Sequence, residues 1–273
     1  MIPSKVRKPV VAGRFYPLSA KDLNKQIKDF SLNPKSKIDA ISCMLPHAGY
    51  VYSGRVAVET VSSIQIKERV ILLGPNHTGN GESCSIMTEG SWQTPLGIVN
   101  IDSIFAKKLL SSSRYLKEDS IAHRDEHSIE VELPILQYFK EDFKIVPIAF
   151  MTDNINILKE IGKEIAGAIS QSGQKSNTII IASSDMTHYE SQSQAEEKDR
   201  AAINAMLKLD ENKLLEEINR LDITMCGWAP AIVMLSAAKS LGAKSGKLVK
   251  YQTSADITKD TASVVGYAGM IFN

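Results

Sequence analysis

Residues 70–79 read VILLGPNHTG, a short apolar run followed by glycine, proline and a histidine. The run is bounded by turn-forming residues and is too brief for a helix, so it predicts a buried strand that ends just before His77. Segments of the same design end close to His47 and His188. Three of the five histidines therefore follow predicted strands.

Short apolar runs and longer helical periodicities alternate through most of the chain. Strands are predicted at residues 41–45, 70–73, 145–150, 178–182 and 263–272. Helices are predicted at residues 20–30, 54–63, 104–111, 128–139, 155–171, 195–209, 211–220 and 229–241. This alternation predicts an α/β fold: a single domain over residues 1–273, with a central sheet, mostly parallel or mixed, flanked by helices on both faces.

Composition limits the classes of function. A chain of 273 residues with 43% hydrophobic content can bury a substantial core. Its 32 basic and 31 acidic residues nearly cancel, which argues against nucleic acid as a partner. No apolar stretch approaches the roughly 20 residues needed to cross a bilayer, and the N-terminal apolar run is too short for a signal peptide. We therefore expect no membrane association and a cytoplasmic location.

The three cysteines predict free thiols, because an odd number in a chain of this size does not suggest a disulfide framework. Cys43 and Cys84 lie in apolar, strand-like segments and are expected to be inert. Cys226 precedes the helix predicted from residue 229, where the helix dipole would favour its thiolate. The alternative for Cys226 is a buried, inert thiol.

The histidines at the strand ends suggest a ligand site, because ligands of such sheets bind at the carboxyl ends of the strands. A single histidine is more often an ordinary hydrogen-bonded residue, but three in the same topological position favour a shared site. Imidazole suits iron, copper, zinc or nickel, and two histidines with one anionic ligand form a common iron site. Asp185 and Cys226 are the two candidates for the anionic ligand.

A second polar cluster, HRDEHSIE, occupies residues 123–130. Glu126 and His127 in this cluster are candidates for outer residues that orient the pocket histidines through hydrogen bonds. In the alternative interpretation, Ser128 or Asp125 simply caps the helix that follows.

Several familiar motifs are missing from the sequence. It contains no G-x-S-x-G, Walker A, H-E-x-x-H or paired C-x-x-C motif. The common hydrolase, phosphate-loop and zincin functions therefore lack support, and no nucleotide cofactor is predicted.

Taken in order, the motifs resemble those of the Memo family, in particular its AmmeMemoRadiSam system protein B type. The resemblance runs from about Val10 to the end of the chain. It rests on GRFY (13–16), PHAGY (46–50) with Gly54, LGPNH (73–77), WQTPLG (92–97), DEHSIE (125–130), SSDMTH (183–188), CG (226–227) and SVVGYAG (263–269).

The resemblance implies a fold like that of LigB-type class III extradiol dioxygenases, which are non-haem iron enzymes. It places His47 and His77 on the two iron-binding histidines, while Cys226 falls where a carboxylate is expected. A thiolate there argues against ring cleavage and favours copper, or iron in a different redox role. His188 matches the position of an acid or base, with Asp185 near enough to orient it.

The resemblance also implies partners. Eukaryotic members of the family are credited with roles in cell motility, with binding of phosphotyrosine peptides and with copper-dependent redox activity. Prokaryotic members are associated with radical-SAM and AMMECR1-type proteins.

Three functions remain open from the sequence. In the leading hypothesis, His47, His77 and Cys226 bind iron or copper and support an oxidoreductase-type reaction, with His188 and Asp185 as catalytic groups that handle protons. The second hypothesis is a binding module that holds a peptide or a small anionic ligand without chemistry. The third makes Cys226 a nucleophile activated by His188 and Asp185.

Aromatic residues are the expected walls of this pocket. Phe15, Tyr50 and Trp92 are the candidates for substrate binding, whether the occupant is a small molecule or a peptide.

Overall fold

The predicted strands assemble into one mixed sheet in the computed structural model, which describes residues 6–32 and 36–273. Within these ranges the strands are β1 (Val6–Arg7), β2 (Ser42–Leu45), β3 (Arg69–Pro75), β4 (Cys84–Ile86), β5 (Ser91–Thr94), β6 (Gly97–Ile101), β7 (Lys117–Glu118), β8 (Lys144–Phe150), β9 (Thr178–Ser183), β10 (His188–Glu190), β11 (Gly246–Thr253) and β12 (Val264–Phe272). The helices of the same ranges are α1 (Ala20–Phe30), α2 (Gly54–Ser62), α3 (Ser103–Ser112), α4 (Ile121–Arg124), α5 (Glu132–Phe139), α6 (Ile155–Gln171), α7 (Gln192–Leu207), α8 (Glu211–Leu221), α9 (Trp228–Ser240) and α10 (Ala255–Thr258).

The centre of the sheet is parallel. Strands β6, β8, β3, β9 and β2 lie side by side in that order, all parallel to their neighbours. The antiparallel strand β12 follows β2, and both β10 and β11 pair with β12. At the opposite end, β5 pairs antiparallel with β6, and β1 pairs parallel with β5.

Helices cover both faces of the central strands. Side chains of a strand alternate between the two faces of a sheet, and every residue of β9 is buried, so both faces of β9 are covered. Helix α9 packs on β9 and β3, while α2 packs on β12 and β11. One apolar cluster extends from Val11 to Phe272. The predicted α/β class, with a mostly parallel, mixed sheet between helices, is confirmed.

Local sequence explains why α1 begins and ends at the predicted residues. Helix α1 begins after Ser19, whose hydroxyl accepts a hydrogen bond from the backbone N–H of Asp22. Leu23 and Ile27 stand four residues apart on its buried face.

The helix predicted from residue 128 begins only at Glu132. The polar groups of Ser128 are used elsewhere: its hydroxyl donates to the carbonyl of Pro75 at 2.9 Å, and its backbone N–H donates to Glu126 at 2.9 Å. Helix α5 has Val131 at its N-cap, without a side-chain cap. The interpretation of Ser128 or Asp125 as a cap of this helix is therefore wrong.

The sequence patterns did not predict every strand. Strands β1, β5, β6, β7, β10 and β11 were not predicted, and the segment of β4 was described only as strand-like around Cys84. Most of them are only two to five residues long, which leaves no measurable alternation of apolar and polar residues.

None of the helices in the described part of the chain combines the length and the apolar character needed to cross a bilayer. The prediction that the chain has no signal peptide rests partly on residues 1–5, which lie outside the described residues.

Candidate metal centre

The carboxyl ends of β2, β3 and β9 meet at one edge of the sheet. Leu45 lies opposite Ser183, and Leu73 lies opposite Ala182, so the loops that follow these strands leave the sheet side by side. They border a cavity of about 750 Å³. The structure thus brings the three strand ends together around one cavity.

His47 lies in the loop after β2 and is only 2% exposed. Its Nδ1 is 2.8 Å from the hydroxyl oxygen of Ser183, at the end of β9. Its Nε2 faces Cys226, at 3.3 Å from the sulfur. Burial, together with His77 and His127 nearby, lowers the pKa of His47 below its ordinary value, so this imidazole is neutral at neutral pH.

His77 lies directly after β3, and its ring is held by a carboxylate. Its Nδ1 is 2.9 Å from Oε1 of Glu126, and its backbone N–H donates to Oε2 of the same carboxylate. A carboxylate on Nδ1 fixes the ring and leaves Nε2 free to act as a ligand.

Glu126 remains ionised although it is buried. Burial acts to raise the pKa of Glu126, but hydrogen bonds from His77 and Ser128 outweigh it and lower the pKa to about 2. Glu126 and His77 thus form the kind of carboxylate–histidine pair that supports metal ligands in proteins.

Cys226 lies just before α9, and its sulfur lines the same cavity. Sγ accepts a hydrogen bond from the backbone N–H of Asp185 at 3.3 Å. Burial, and then the nearby Asp185, raise the pKa of Cys226 above its ordinary value. The expectation that the helix dipole favours its thiolate is thereby corrected, because both effects oppose the dipole. Metal binding would have to displace the thiol proton.

The side chains of His47, His77 and Cys226, hereafter the metal-donor triad, converge. Their nearest nitrogen and sulfur atoms all lie within 4.8 Å of one another. Two imidazoles and one thiol, with each Nδ1 already bonded to a polar side chain, form a donor set that fits iron or copper.

His127 lies against the triad. Its ring stacks on that of His77 with centroids 4.8 Å apart, and its Nδ1 is 3.4 Å from Glu126. His77, Glu126 and His127 form a second group whose spacing could hold a metal. Glu126 already accepts hydrogen bonds from both of these histidines and from Ser128, so we interpret this group as a support for the triad.

His188 is oriented by Thr224. The Nδ1 of His188 lies 2.9 Å from the carbonyl oxygen of Thr224, which can only accept, so Nδ1 carries the hydrogen and Nε2 is free. Burial lowers the pKa of His188, which favours the neutral form. Both Thr224 and His188 line the cavity.

Asp185 holds the loop of His47 instead of the His188 ring. Its Oδ1 accepts hydrogen bonds from the backbone N–H groups of His47 and Ala48, at 2.9 and 3.3 Å. The expectation that Asp185 orients His188 is corrected, because the carbonyl of Thr224 occupies that role. The activated-thiol hypothesis loses its predicted geometry for the same reason, since Cys226 contacts His47 at 3.3 Å.

Of the three aromatic residues expected in the pocket wall, only Phe15 lines the cavity. Its ring meets that of His127 edge-on, with centroids 4.9 Å apart. Tyr50 is 1% exposed, and its hydroxyl donates to the carbonyl of Val131 in the core. Trp92 is equally buried and packs under the guanidinium of Arg7 at 4.3 Å. The assignment of Tyr50 and Trp92 to substrate binding is therefore corrected.

Sequence reasoning missed several residues of the cavity. Arg14, Tyr52, Tyr189 and Tyr267 line it beside the donors. Arg14 and Tyr267 stand inside motifs that had been recognised, GRFY and SVVGYAG, so a signal existed for them. Tyr52 and Tyr189 each follow a pocket histidine closely in the chain, but nothing in their spacing distinguishes them from ordinary surface tyrosines.

Comparison with known proteins identifies the family. A family model described as Memo-like protein matches residues 7–271. A MEMO1 family protein of Methanopyrus kandleri is 40% identical, with 97% of this chain and 98% of that protein covered. MEMO1 family proteins of Aquifex aeolicus and Methanococcoides burtonii are 42% and 43% identical, over 98% and 97% of this chain and 99% of each relative.

The chain belongs to the Memo family.

The resemblance that the motifs suggested is thereby confirmed over nearly the whole chain. A solved structure supports the architecture of this Memo family member. An uncharacterized protein of Escherichia coli K12 matches with a TM-score of 0.59 over 84% of this chain and 98% of that one. Because only 14% of the residues are identical, this similarity concerns the fold alone.

Proposed function

We propose that the protein binds one iron or copper ion through the metal-donor triad and supports an oxidoreductase reaction on a substrate that enters the cavity. The observation that carries the proposal is the convergence of two imidazoles and one thiol within 4.8 Å. When bound, such a metal would supply one-electron chemistry, which the side chains of this cavity cannot supply themselves.

The ligand atoms would be Nε2 of both histidines and the sulfur of Cys226. In each histidine, Nδ1 is occupied by another side chain: Ser183 bonds His47, and Glu126 bonds His77. Each ring can therefore offer only Nε2, and neither has to rotate to do so.

Two other groups could exchange protons with a substrate. Burial raises the pKa of Asp185 to about 7, so its carboxyl can give or take a proton near neutral pH. His188 presents an unprotonated Nε2, because its Nδ1–H is bonded to Thr224. Both residues line the cavity that contains the triad.

The test is the metal content after anaerobic reconstitution of the metal-free protein with Fe(II) or Cu(I). We expect about one equivalent in the wild type, and loss of binding in Cys226→Ser and in His77→Ala. Cys84→Ser is the matched control, since Cys84 is a buried thiol in β4 that does not line the cavity. Metal retained in Cys226→Ser, or lost equally in Cys84→Ser, would exclude the triad.

A second function is favoured by the mouth of the cavity. Arg14, Tyr52 and Tyr189 are exposed residues that line the cavity, a combination that suits a small anionic ligand or a peptide. In this alternative, the ligand binds with the same affinity after the metal has been removed. Calorimetry with metal-loaded and chelator-treated protein distinguishes the two functions.

A further inference from the structure

Glu132 is a buried carboxyl group that the proposed function does not use. It is the first residue of α5 and is 0% exposed. Its Oε1 lies 2.9 Å from the hydroxyl oxygen of Ser183, which itself lies 2.8 Å from Nδ1 of His47. The same hydroxyl oxygen is 2.7 Å from the carbonyl oxygen of Ser128.

These contacts fix the positions of the hydrogens. A serine hydroxyl carries one hydrogen and can accept two hydrogen bonds. The carbonyl of Ser128 can only accept, and among the described residues the hydroxyl of Ser183 is the donor that reaches it, so we place the hydrogen of Ser183 toward Ser128. The other two contacts must then be donated to Ser183, one by Nδ1–H of His47 and one by the carboxyl of Glu132.

We propose that Glu132 is held as a neutral carboxylic acid and that Ser183, to which it donates, is the positioning residue that keeps His47 in the Nδ1–H form. An ionised Glu132 would instead take the hydrogen of Ser183 and leave the carbonyl of Ser128 without a donor. The hydrogen-bonding contacts among Glu132, Ser183, His47 and the carbonyl of Ser128 are all satisfied only if Glu132 is protonated.

The second oxygen of Glu132 supports the neutral form independently. Among the described residues, Oε2 is buried and has no hydrogen-bond partner. A buried ionised oxygen without a donor is far more costly than a buried neutral carbonyl oxygen. Consistent with this, burial raises the pKa of Glu132 well above its usual range, and the nearby Asp185 adds to the rise.

The consequence is a difference between the two histidines of the triad. His77 is bonded to the carboxylate of Glu126, whereas His47 is bonded to a neutral hydroxyl. Only His77 therefore gains donor strength from a negative charge. This consequence rests on the proposed metal function, but the protonation of Glu132 and His47 does not.

The protonation is tested on the metal-free full chain. Infrared spectra at neutral pH should show, beside the band of partly protonated Asp185, a carboxylic acid band that Glu132→Gln removes and Asp185→Asn leaves in place. Nitrogen NMR of histidine-labelled protein, with His47 assigned through His47→Gln, should show Nδ1 protonated and Nε2 bare. A carboxylate at Glu132, or a His47 protonated on Nε2, would overturn the proposal. The NMR spectrum of the wild type tests the protonation of His47 even if the Glu132→Gln variant fails to fold.

Metal titrations then compare two Glu→Gln exchanges. Glutamine reproduces a neutral acid, so Glu132→Gln should bind metal within about threefold of the wild type. Glu126→Gln removes a charge from His77, and Ser183→Ala removes the acceptor of His47, so each should weaken binding about 10–100-fold. Equal weakening by both Glu→Gln variants would contradict the neutral acid. If neither the wild type nor any of these variants binds metal, the proposed function fails. The infrared and NMR spectra then still decide the protonation of Glu132 and His47.

Discussion

At the scale of single residues, the carboxyl of Asp185 changes its charge near neutral pH. Its Oδ1 accepts hydrogen bonds from two backbone N–H groups, but burial raises its pKa to about 7. The folded protein therefore binds this proton more tightly than the unfolded chain does. The stability that follows is present at acid pH and is lost as the pH rises through about 7.

Asp185→Asn should remove this dependence on pH. Between about pH 4 and pH 8, the unfolding free energy of the wild type should fall relative to that of the variant by up to about 4 kcal/mol. Urea denaturation of both metal-free proteins across this range measures the difference. Asp125→Asn, which alters an exposed carboxylate, is the control and should show little change. A constant difference between wild type and Asp185→Asn would contradict the assigned pKa.

Candidate metal-binding residues could be chosen from the sequence at this scale, but their chemical state could not be predicted. The positions after strands singled out His47, His77 and His188. The third ligand stayed open between Asp185 and Cys226 until the family resemblance pointed to Cys226. The raised pKa of Cys226 depends on burial and on Asp185, which is distant in sequence. Tyr50 was misplaced because its ring turns into the core, where the carbonyl of Val131 accepts its hydroxyl hydrogen.

At the scale of elements, the loop of Cys226 packs very closely on the end of β9. A Cβ at Gly227 would lie 2.3 Å from the carbonyl oxygen of Ser183 and 2.5 Å from Cβ of Ser184. The backbone N–H of Gly227 also donates to the hydroxyl of Ser184 at 2.9 Å. Only glycine allows this approach, which sets the distance between Cys226 and the strand that precedes Asp185.

Gly227→Ala should therefore push the loop away from β9. We expect a loss of about 1–3 kcal/mol in unfolding free energy and weaker metal binding, because the new methyl group overpacks the contact. Gly167→Ala is the matched control: Gly167 lies in α6, and a Cβ there would meet nothing within 4 Å. That control should be stabilised, by up to about 1 kcal/mol. Thermal and urea unfolding measure both, and unchanged stability in Gly227→Ala would contradict the steric argument.

Elements with strong local signals were predictable, and those fixed by distant contacts were not. Helix α1 starts and ends as expected, because Ser19 caps it and its apolar residues repeat at helical spacing. The start of α5 was predicted too early, because Ser128 forms hydrogen bonds with Pro75 and Glu126, and these contacts cannot be read from local sequence.

At the scale of the whole molecule, a buried ion pair joins the N-terminal segment to the polar cluster of residues 123–130. Arg7 donates to the carboxylate of Glu130, and both side chains are at most 5% exposed. Arg7 also donates to the carbonyl of His123 at 2.9 Å. The segment that carries Arg14 and Phe15 is held near the cavity by these contacts.

Arg7→Ala should lower the unfolding free energy of the whole protein by about 3–5 kcal/mol, because it leaves a buried carboxylate without its counter-charge. Lys107→Ala is the control, since Lys107 pairs with Glu89 on the surface and should contribute less than about 1 kcal/mol. Guanidinium denaturation measures both. Equal effects of the two substitutions would show that the Arg7 pair does not anchor the segment.

The overall architecture was predictable because β2, β3, β8 and β9 each contain a short apolar run, such as residues 179–182 of β9. The order of the strands was not, since the pairing of β12 with β2, β10 and β11 depends on contacts between distant parts of the chain. The sequence could predict that a cavity would lie where β2, β3 and β9 end. The residues that line the walls of this cavity could be identified only in the structure.

We propose that one metal is bound by the two imidazoles and the thiolate of the triad. X-ray absorption at the metal edge of iron- or copper-loaded protein tests it most directly, because sulfur and nitrogen scatter differently in the first coordination sphere. We predict one sulfur neighbour together with nitrogen neighbours from imidazole, and loss of the sulfur signal in Cys226→Ser. A spectrum without sulfur in the wild type, or one unchanged by Cys226→Ser, would contradict this coordination.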